Sequence, residues 1–163
     1  MPYLLDSNRF IEAHQRWYGM DFCPGFWTWL EQQNANGQLF SIDRVRDELF
    51  DIDDELKAWA QLRGDGFFLP VDVAAQNRYA QIATWVQSTS GFAQHHIASF
   101  LSKADPWLVA YAAAYGYTII TGEKRVDATS KKVKIPNVCE QFGVACADLV
   151  DVIRQSGARL ELR

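Results

Sequence analysis

Apolar and polar positions along the chain follow two rhythms: short β-prone apolar runs that close on an acid or a turn, and longer stretches with apolar residues at helical spacing. Pro2-Tyr3-Leu4-Leu5 is the first short run and leads through Asp6-Ser7-Asn8 into a helix predicted over Ser7 to about Tyr18. After Pro24-Gly25 a second helix is predicted from Phe26 toward Asn34. Leu39-Phe40-Ser41-Ile42 then repeats the strand-to-helix step, with Ser41 or Asp43 as the cap of the helix that follows. In that helix Ile42, Val45 and Leu49 mark the buried stripe. At about 100° per residue Glu48 falls roughly 60° from Val45, on the border of the stripe, whereas Asp47 points outward.

Further helices are predicted over Asp53 to Leu62, Asp72 to Gln87 and Phe92 to Ser102, with Phe67 to Val71 a short strand or an extended connector. Ala104-Asp105-Pro106-Trp107 reads as a helix start in which Asp105 is the capping acid and Pro106 the first helical residue, and Gly116 closes that helix. Tyr117 to Thr121 is the clearest strand, β-branched at its centre, and it ends at Gly122-Glu123. Beyond a basic loop, Ile135 to Cys139 opens a short helix and Gly143 to Cys146 reads as a strand. Asp148 to Gln155 reads as a helix, and Arg159 to Leu162 as a terminal edge strand. Strands alternating with helices predict an α/β fold with parallel pairing through right-handed crossovers.

The length of 163 residues predicts a single domain over 1–163, and 48% hydrophobic with 13% aromatic residues supplies a core without disulfides. Cys23, Cys139 and Cys146 form an odd, widely spaced set with no Cys-x-x-Cys pair, as expected of reduced thiols in the cytoplasm. No membrane span and no leader pattern is read, so a soluble, cytoplasmic protein is expected. The net charge of -4 argues against a protein that coats nucleic acid electrostatically. The charges are segregated: seven acids and three bases lie from Asp43 to Lys57, but five bases and one acid from Lys124 to Lys134. Such a division suits a phosphodiester held by cations beside a metal held by carboxylates, although solvated surface patches have the same look.

Asp6 and Glu123 follow strands, Glu48 borders a helix stripe and Asp105 opens a helix. In a parallel sheet these places share one edge. Asp6 and Asp105 could equally serve as helix caps. Two carboxylates about 5 Å apart repel by roughly 3 kcal/mol at an effective dielectric near 20, so four together require protons or a cation. A hard divalent ion with oxygen ligands answers that need. The aromatic set Trp17, Tyr18, Phe22, Phe26, Trp27 and Trp29 is spaced for core packing, with base stacking as the alternative. His95 and His96, being adjacent, do not form a shared metal site.

These residues carry a resemblance. The N-terminal strand with Asp6-Ser7-Asn8, Glu48-Leu49, the run from Ala104-Asp105-Pro106 to Ala110, and Thr118 to Glu123 resemble, in order and spacing, the PIN-domain (PIN-like) nucleases. Val133-Lys134-Ile135-Pro136-Asn137-Val138-Cys139 and Phe22 to Trp27 are similar to a less-studied subfamily. The resemblance covers nearly the whole chain and implies a three-layer α/β/α sandwich with a short central, mostly parallel sheet. It further implies a Mg2+ or Mn2+ site formed by Asp6, Glu48, Asp105 and Glu123, cleaving single-stranded RNA. Many relatives are toxins of bacterial toxin-antitoxin pairs, which implies a possible antitoxin partner; a homodimer is also possible.

Glu123 stands where many relatives carry aspartate, with Asp127 as a substitute ligand. Ser7, Asn8 and Thr121 are candidate donors to a ligand carboxylate or phosphate, and Lys124, Arg125, Lys131, Lys132 and Lys134 candidate contacts to RNA phosphates. The stretch from Asp51 to Ser102 is longer and more aromatic than a minimal PIN domain needs. A catalytically inactive RNA- or protein-binding module and a structure-selective DNA nuclease are the alternatives.

Overall fold

A computed structural model describes residues 1–127 and 129–162. The short apolar runs pair into a five-stranded, all-parallel sheet of β1 (Tyr3–Leu5), β2 (Leu39–Ile42), β3 (Phe68–Leu69), β4 (Thr118–Ile120) and β5 (Cys146–Ala147). The strand order is β3-β2-β1-β4-β5, with Tyr3 opposite Leu39 on one side and Thr118 on the other. Leu4, Leu5, Ile119 and Ile120 are fully buried. That unbroken apolar pattern is what parallel strands covered on both faces require.

Helices cover the sheet and complete a three-layer α/β/α sandwich. They are α1 (Ser7–Glu12), α2 (Pro24–Ala35), α3 (Asp43–Leu49), α4 (Glu55–Gln61), α5 (Val73–Ser88), α6 (Gln94–Leu101), α7 (Asp105–Tyr115), α8 (Ile135–Phe142) and α9 (Leu149–Gln155). α1 runs on as a π-helical turn over Ala13–Trp17, where the Tyr18 N–H reaches the Ala13 carbonyl at 2.7 Å. α7 is apolar around most of its circumference, burying Leu108, Val109, Ala110, Tyr111 and Ala112, so it lies inside the helical layer instead of on its surface. Tyr79 of α5 stacks on Trp107 of α7 at 4.0 Å. Gly116 ends α7 at φ 76°, the left-handed position that a side chain would resist.

Phe26, Trp27 and Trp29 are buried, and Tyr18 stacks on Phe26 at 4.4 Å, so most of that aromatic set is core; Trp17 and Phe22 are exposed. The ring system extends through Trp59, Phe67, Phe68 and Phe10, whose centroids lie 5.0 to 6.2 Å apart. The long middle segment thus supplies the filling of one layer. Among the described residues no helix is long and apolar enough to cross a membrane.

Several local expectations are corrected. Arg159 to Leu162 forms no strand. Leu160 instead lies against the first turn of α2, where a Cβ on Gly25 would stand 3.6 Å from its Cδ2, so the tail packs on the helical layer rather than on the sheet edge. β5 begins at Cys146, because Gly143 is spent ending α8 at φ 69°. Neither Ser41 nor Asp43 caps α3: Ser41 Oγ donates to the Leu5 carbonyl at 2.7 Å, and Asp43 Oδ2 accepts from the Val71 N–H at 3.3 Å. Both side chains stitch neighbouring segments at the sheet instead.

Candidate functional site

The chain visits β1, β2 and β3 in one direction and returns to β4 on the far side of β1, so the order reverses between β1 and β4. In parallel sheets, the crevice beyond the strand ends at such a reversal is where ligands bind. The two strand ends are level there, as the Asp6 N–H donates to the Ile120 carbonyl at 3.1 Å.

Asp6 is 1% exposed. It occupies the N-cap position of α1 without capping it, and its Oδ2 accepts from Thr121 Oγ at 3.0 Å. Thr121 Oγ in turn accepts the Glu123 N–H at 3.2 Å, so one hydroxyl orients both strand-end acids. Glu123 Oε2 accepts the Ile135 N–H at 2.7 Å, the first residue of α8.

Glu48 reaches in from α3 and spans two segments. Its Oε2 accepts from Ser7 Oγ at 2.6 Å and its Oε1 from the Ala104 N–H at 2.7 Å. The second bond supplies from another helix what a local cap would give. Accordingly Asp105 is not the cap: Ala104 holds that position, and Asp105 is the first residue of α7, free to face the other acids.

The four acids feel one another. Burial, with the negative charges of Glu123 and Glu48, pushes Asp6 up from 3.8 to about 6 against the Thr121 hydrogen bond. Burial foremost, then the charges of Asp6, Glu123 and Glu48, pushes Asp105 up to about 7, with Lys103 opposing. Asp6, Glu48, Asp105 and Glu123 are therefore brought together, from four elements, at the carboxyl edge of the sheet.

As the side chains are placed, no group of three His, Cys, Asp or Glu among the described residues stands ready to ligate one ion. Both Glu48 oxygens and one Glu123 oxygen point to protein donors. Carboxylate oxygens keep a further lone pair when they accept one bond, so these acids retain ligating capacity. The donor set is all oxygen, and two members, Asp6 and Asp105, are held up by desolvation and by neighbouring negative charge. That fits a hard divalent cation.

Asp105 and Glu123 floor a cleft of about 170 Å³ whose walls are His96, Ser99, Phe100 and Lys103 on one side and Lys132, Val133 and Lys134 on the other. His96, Ser99 and Lys103 recur at helical spacing on and just past α6. The Lys131 carbonyl accepts the Ala93 N–H at 3.1 Å, which draws the basic arm across the start of α6. Desolvation, then the charges of His95, Lys132 and Lys134, hold the His96 imidazole below its ordinary pKa.

Of the other candidates, Asn8, Lys124 and Lys131 are exposed, and Arg125 is paired at the surface with Glu140 at 2.6 Å. Asp127 is occupied by its own turn, accepting the Thr129 N–H at 2.9 Å, and does not substitute for Glu123. Sequence reasoning missed His96, Ser99 and Lys103. It also missed Arg9, which is buried against Gly122, bonded to Glu12 and stacked over Trp17 at 5.1 Å. Its place one residue after Asn8, in the turn that leaves the acidic edge, was the available signal.

A family model described as a domain of unknown function (DUF4411) matches residues 3–160. The chain belongs to this family. No curated protein and no solved structure matches it. The DUF4411 match spans all four acids and both walls of the cleft, from Asp6 to Lys134.

Proposed function

We propose that this protein is a divalent-metal-dependent, PIN-like endoribonuclease acting on single-stranded RNA. The observation that supports the reading most is the convergence of Asp6, Glu48, Asp105 and Glu123 at the order reversal, with Asp6 and Asp105 desolvated and mutually repelling. A Mg2+ or Mn2+ ion held there would supply charge neutralisation at phosphorus and a more acidic water. Asp6 and Asp105 would be its anchoring carboxylates, with Glu123 and Glu48 completing the oxygen set.

Thr121 fixes the rotamer of Asp6, and Ser7 fixes that of Glu48. His96, Ser99, Lys103, Lys132 and Lys134 line the approach with donors for phosphate oxygens. The wall of cations opposite a floor of acids aligns a phosphodiester so that its anionic oxygens face the bases and its phosphorus faces the acids. A toxin role, with an antitoxin that covers this cleft, is part of the same proposal.

The engagement of both Glu48 oxygens by protein donors favours a second reading, a module that binds without cutting. One experiment decides between them. Purified protein is given labelled single-stranded RNA and DNA across a Mg2+ and Mn2+ titration, beside Asp6→Asn and Asp105→Asn. RNA cleavage that needs the cation and falls at least 100-fold in both variants upholds the nuclease. Equal inertness of all three proteins gives the binding module, and cleavage of DNA alone gives a DNA nuclease.

A further inference from the structure

Beside the acidic cleft lies a second, larger pocket of about 470 Å³, lined by Trp85 of α5, Phe92, Ser90, Ser130, Gln141 and Lys132 among others. Lys132 lines both cavities, so the two adjoin at one cation. We propose that this pocket receives one unpaired nucleobase of the strand whose phosphate sits in the acidic cleft. The proposal rests on the nuclease reading for that neighbouring cleft, and on the pocket's own chemistry for its occupant.

Three observations carry it. Trp85 is half-buried and packed near-perpendicular to two rings, Phe92 at 5.7 Å and 77° and Phe142 at 5.9 Å and 90°. Perpendicular neighbours fix the indole plane, and Trp85 lines the pocket as a stacking platform that loses little freedom when a base arrives. Around it stand small amide and hydroxyl groups, Gln141, Ser90 and Ser130, able to meet the hydrogen-bonding edge of a base.

The frame is also fixed. Asn137 clasps the Val126 backbone with both amide atoms, at 3.0 and 2.8 Å, and Arg125 is tied to Glu140. The pocket wall on the arm side is thereby pinned to α8. An aromatic plate beside polar edge groups, joined to a phosphate-seeking cleft by a shared lysine, matches an unstacked nucleotide better than a peptide or a lipid. A duplex, with its bases stacked and its edges paired, has nothing to offer such a pocket.

The test measures binding with no divalent cation present. Fluorescently labelled RNA decamers are titrated in EDTA into wild type and Trp85→Ala: intact single strand, single strand with abasic sites, duplex, and the DNA single strand. We expect the abasic strand to bind about tenfold more weakly than the intact strand, duplex to bind weakest, and Trp85→Ala to lose about tenfold on the intact strand but little on the abasic one. Trp85→Phe, which keeps a ring, restores most of the affinity. DNA binding equal to RNA assigns recognition to the base alone, and stronger RNA binding adds a 2′-hydroxyl contact; both uphold the pocket. An abasic strand that binds wild type as tightly as the intact one overturns the proposal, without requiring any variant to fold. Because no cleavage is measured, a protein that stacks bases yet never cuts would end the nuclease reading and leave this one standing.

Discussion

Glu48 accepts the backbone N–H of Ala104 at 2.7 Å and so ties α3 to the residue that immediately precedes Asp105. The bond spans 56 positions and acts as a cap supplied in trans, since no side chain of α7's own start satisfies that group. Removing the acceptor strands a partly buried N–H. Glu48→Ala is expected to destabilise the protein by about 1–3 kcal/mol in urea unfolding, and Glu48→Gln, whose amide oxygen still accepts, by about 1 kcal/mol or less. Indistinguishable midpoints for the two would show that the tie is immaterial.

Asp6 and Asp105 have folded pKa values of about 6 and about 7 against 3.8 unfolded, the reverse of the usual paired carboxylate. Between roughly pH 4 and pH 7 the folded state therefore binds more protons than the unfolded one, and stability falls as pH rises through that window. The penalty is absent below about pH 4 and complete above about pH 7. It is on the order of 3 kcal/mol for Asp6 and about 4 kcal/mol for Asp105. Thermal melts are expected to show a higher Tm at pH 5 than at pH 8, and Mn2+ to raise the Tm more at pH 8, where it need not displace protons. A cation effect equal at both pH values would contradict this.

Stability and chemistry should part at Asp105. Asp105→Asn removes a desolvated charge that three other acids repel, so its Tm at pH 8 is expected to equal or exceed that of wild type. RNA cleavage is expected to drop at least 100-fold in the same variant. An inactive variant that also melts well below wild type would assign Asp105 a structural task instead.

Gly122 is demanded by a neighbour. A Cβ there would overlap Arg9 Nη2 and Cζ, so the buried guanidinium has to leave before alanine fits. Gly122→Ala is expected to cost about 1–3 kcal/mol in denaturant unfolding. In an Arg9→Ala background the same substitution should cost far less, which a double-mutant cycle would read directly.

The elements were legible because strands buried on both faces and helices with one apolar stripe leave different periods in the chain. Asp6 and Glu123 stood out as acids closing apolar runs, and Glu48 by its angle from Val45. Asp105 was located by a signal that meant something else: the acid-proline pair resembles a cap, yet Glu48 from a distant helix takes that task and frees the carboxylate. Ser41 misled similarly, because its hydroxyl serves the Leu5 carbonyl across the sheet. His96, Ser99 and Lys103 recur at helical spacing, but that face becomes a cleft wall only once the arm at Lys131 crosses the start of α6. Contacts of that kind depend on three-dimensional closure, which no window of residues contains.

Of the two partners of the middle strand, β2 follows soon in the chain and β4 comes much later. β1 aligns with β4 residues more than 100 positions later, and two of the four acids lie beyond position 100. A growing polypeptide thus carries half a set of carboxylates until β4 and Glu123 have been made. Whatever chemistry the four side chains carry as a set, the nascent chain acquires it only after β4 has been made.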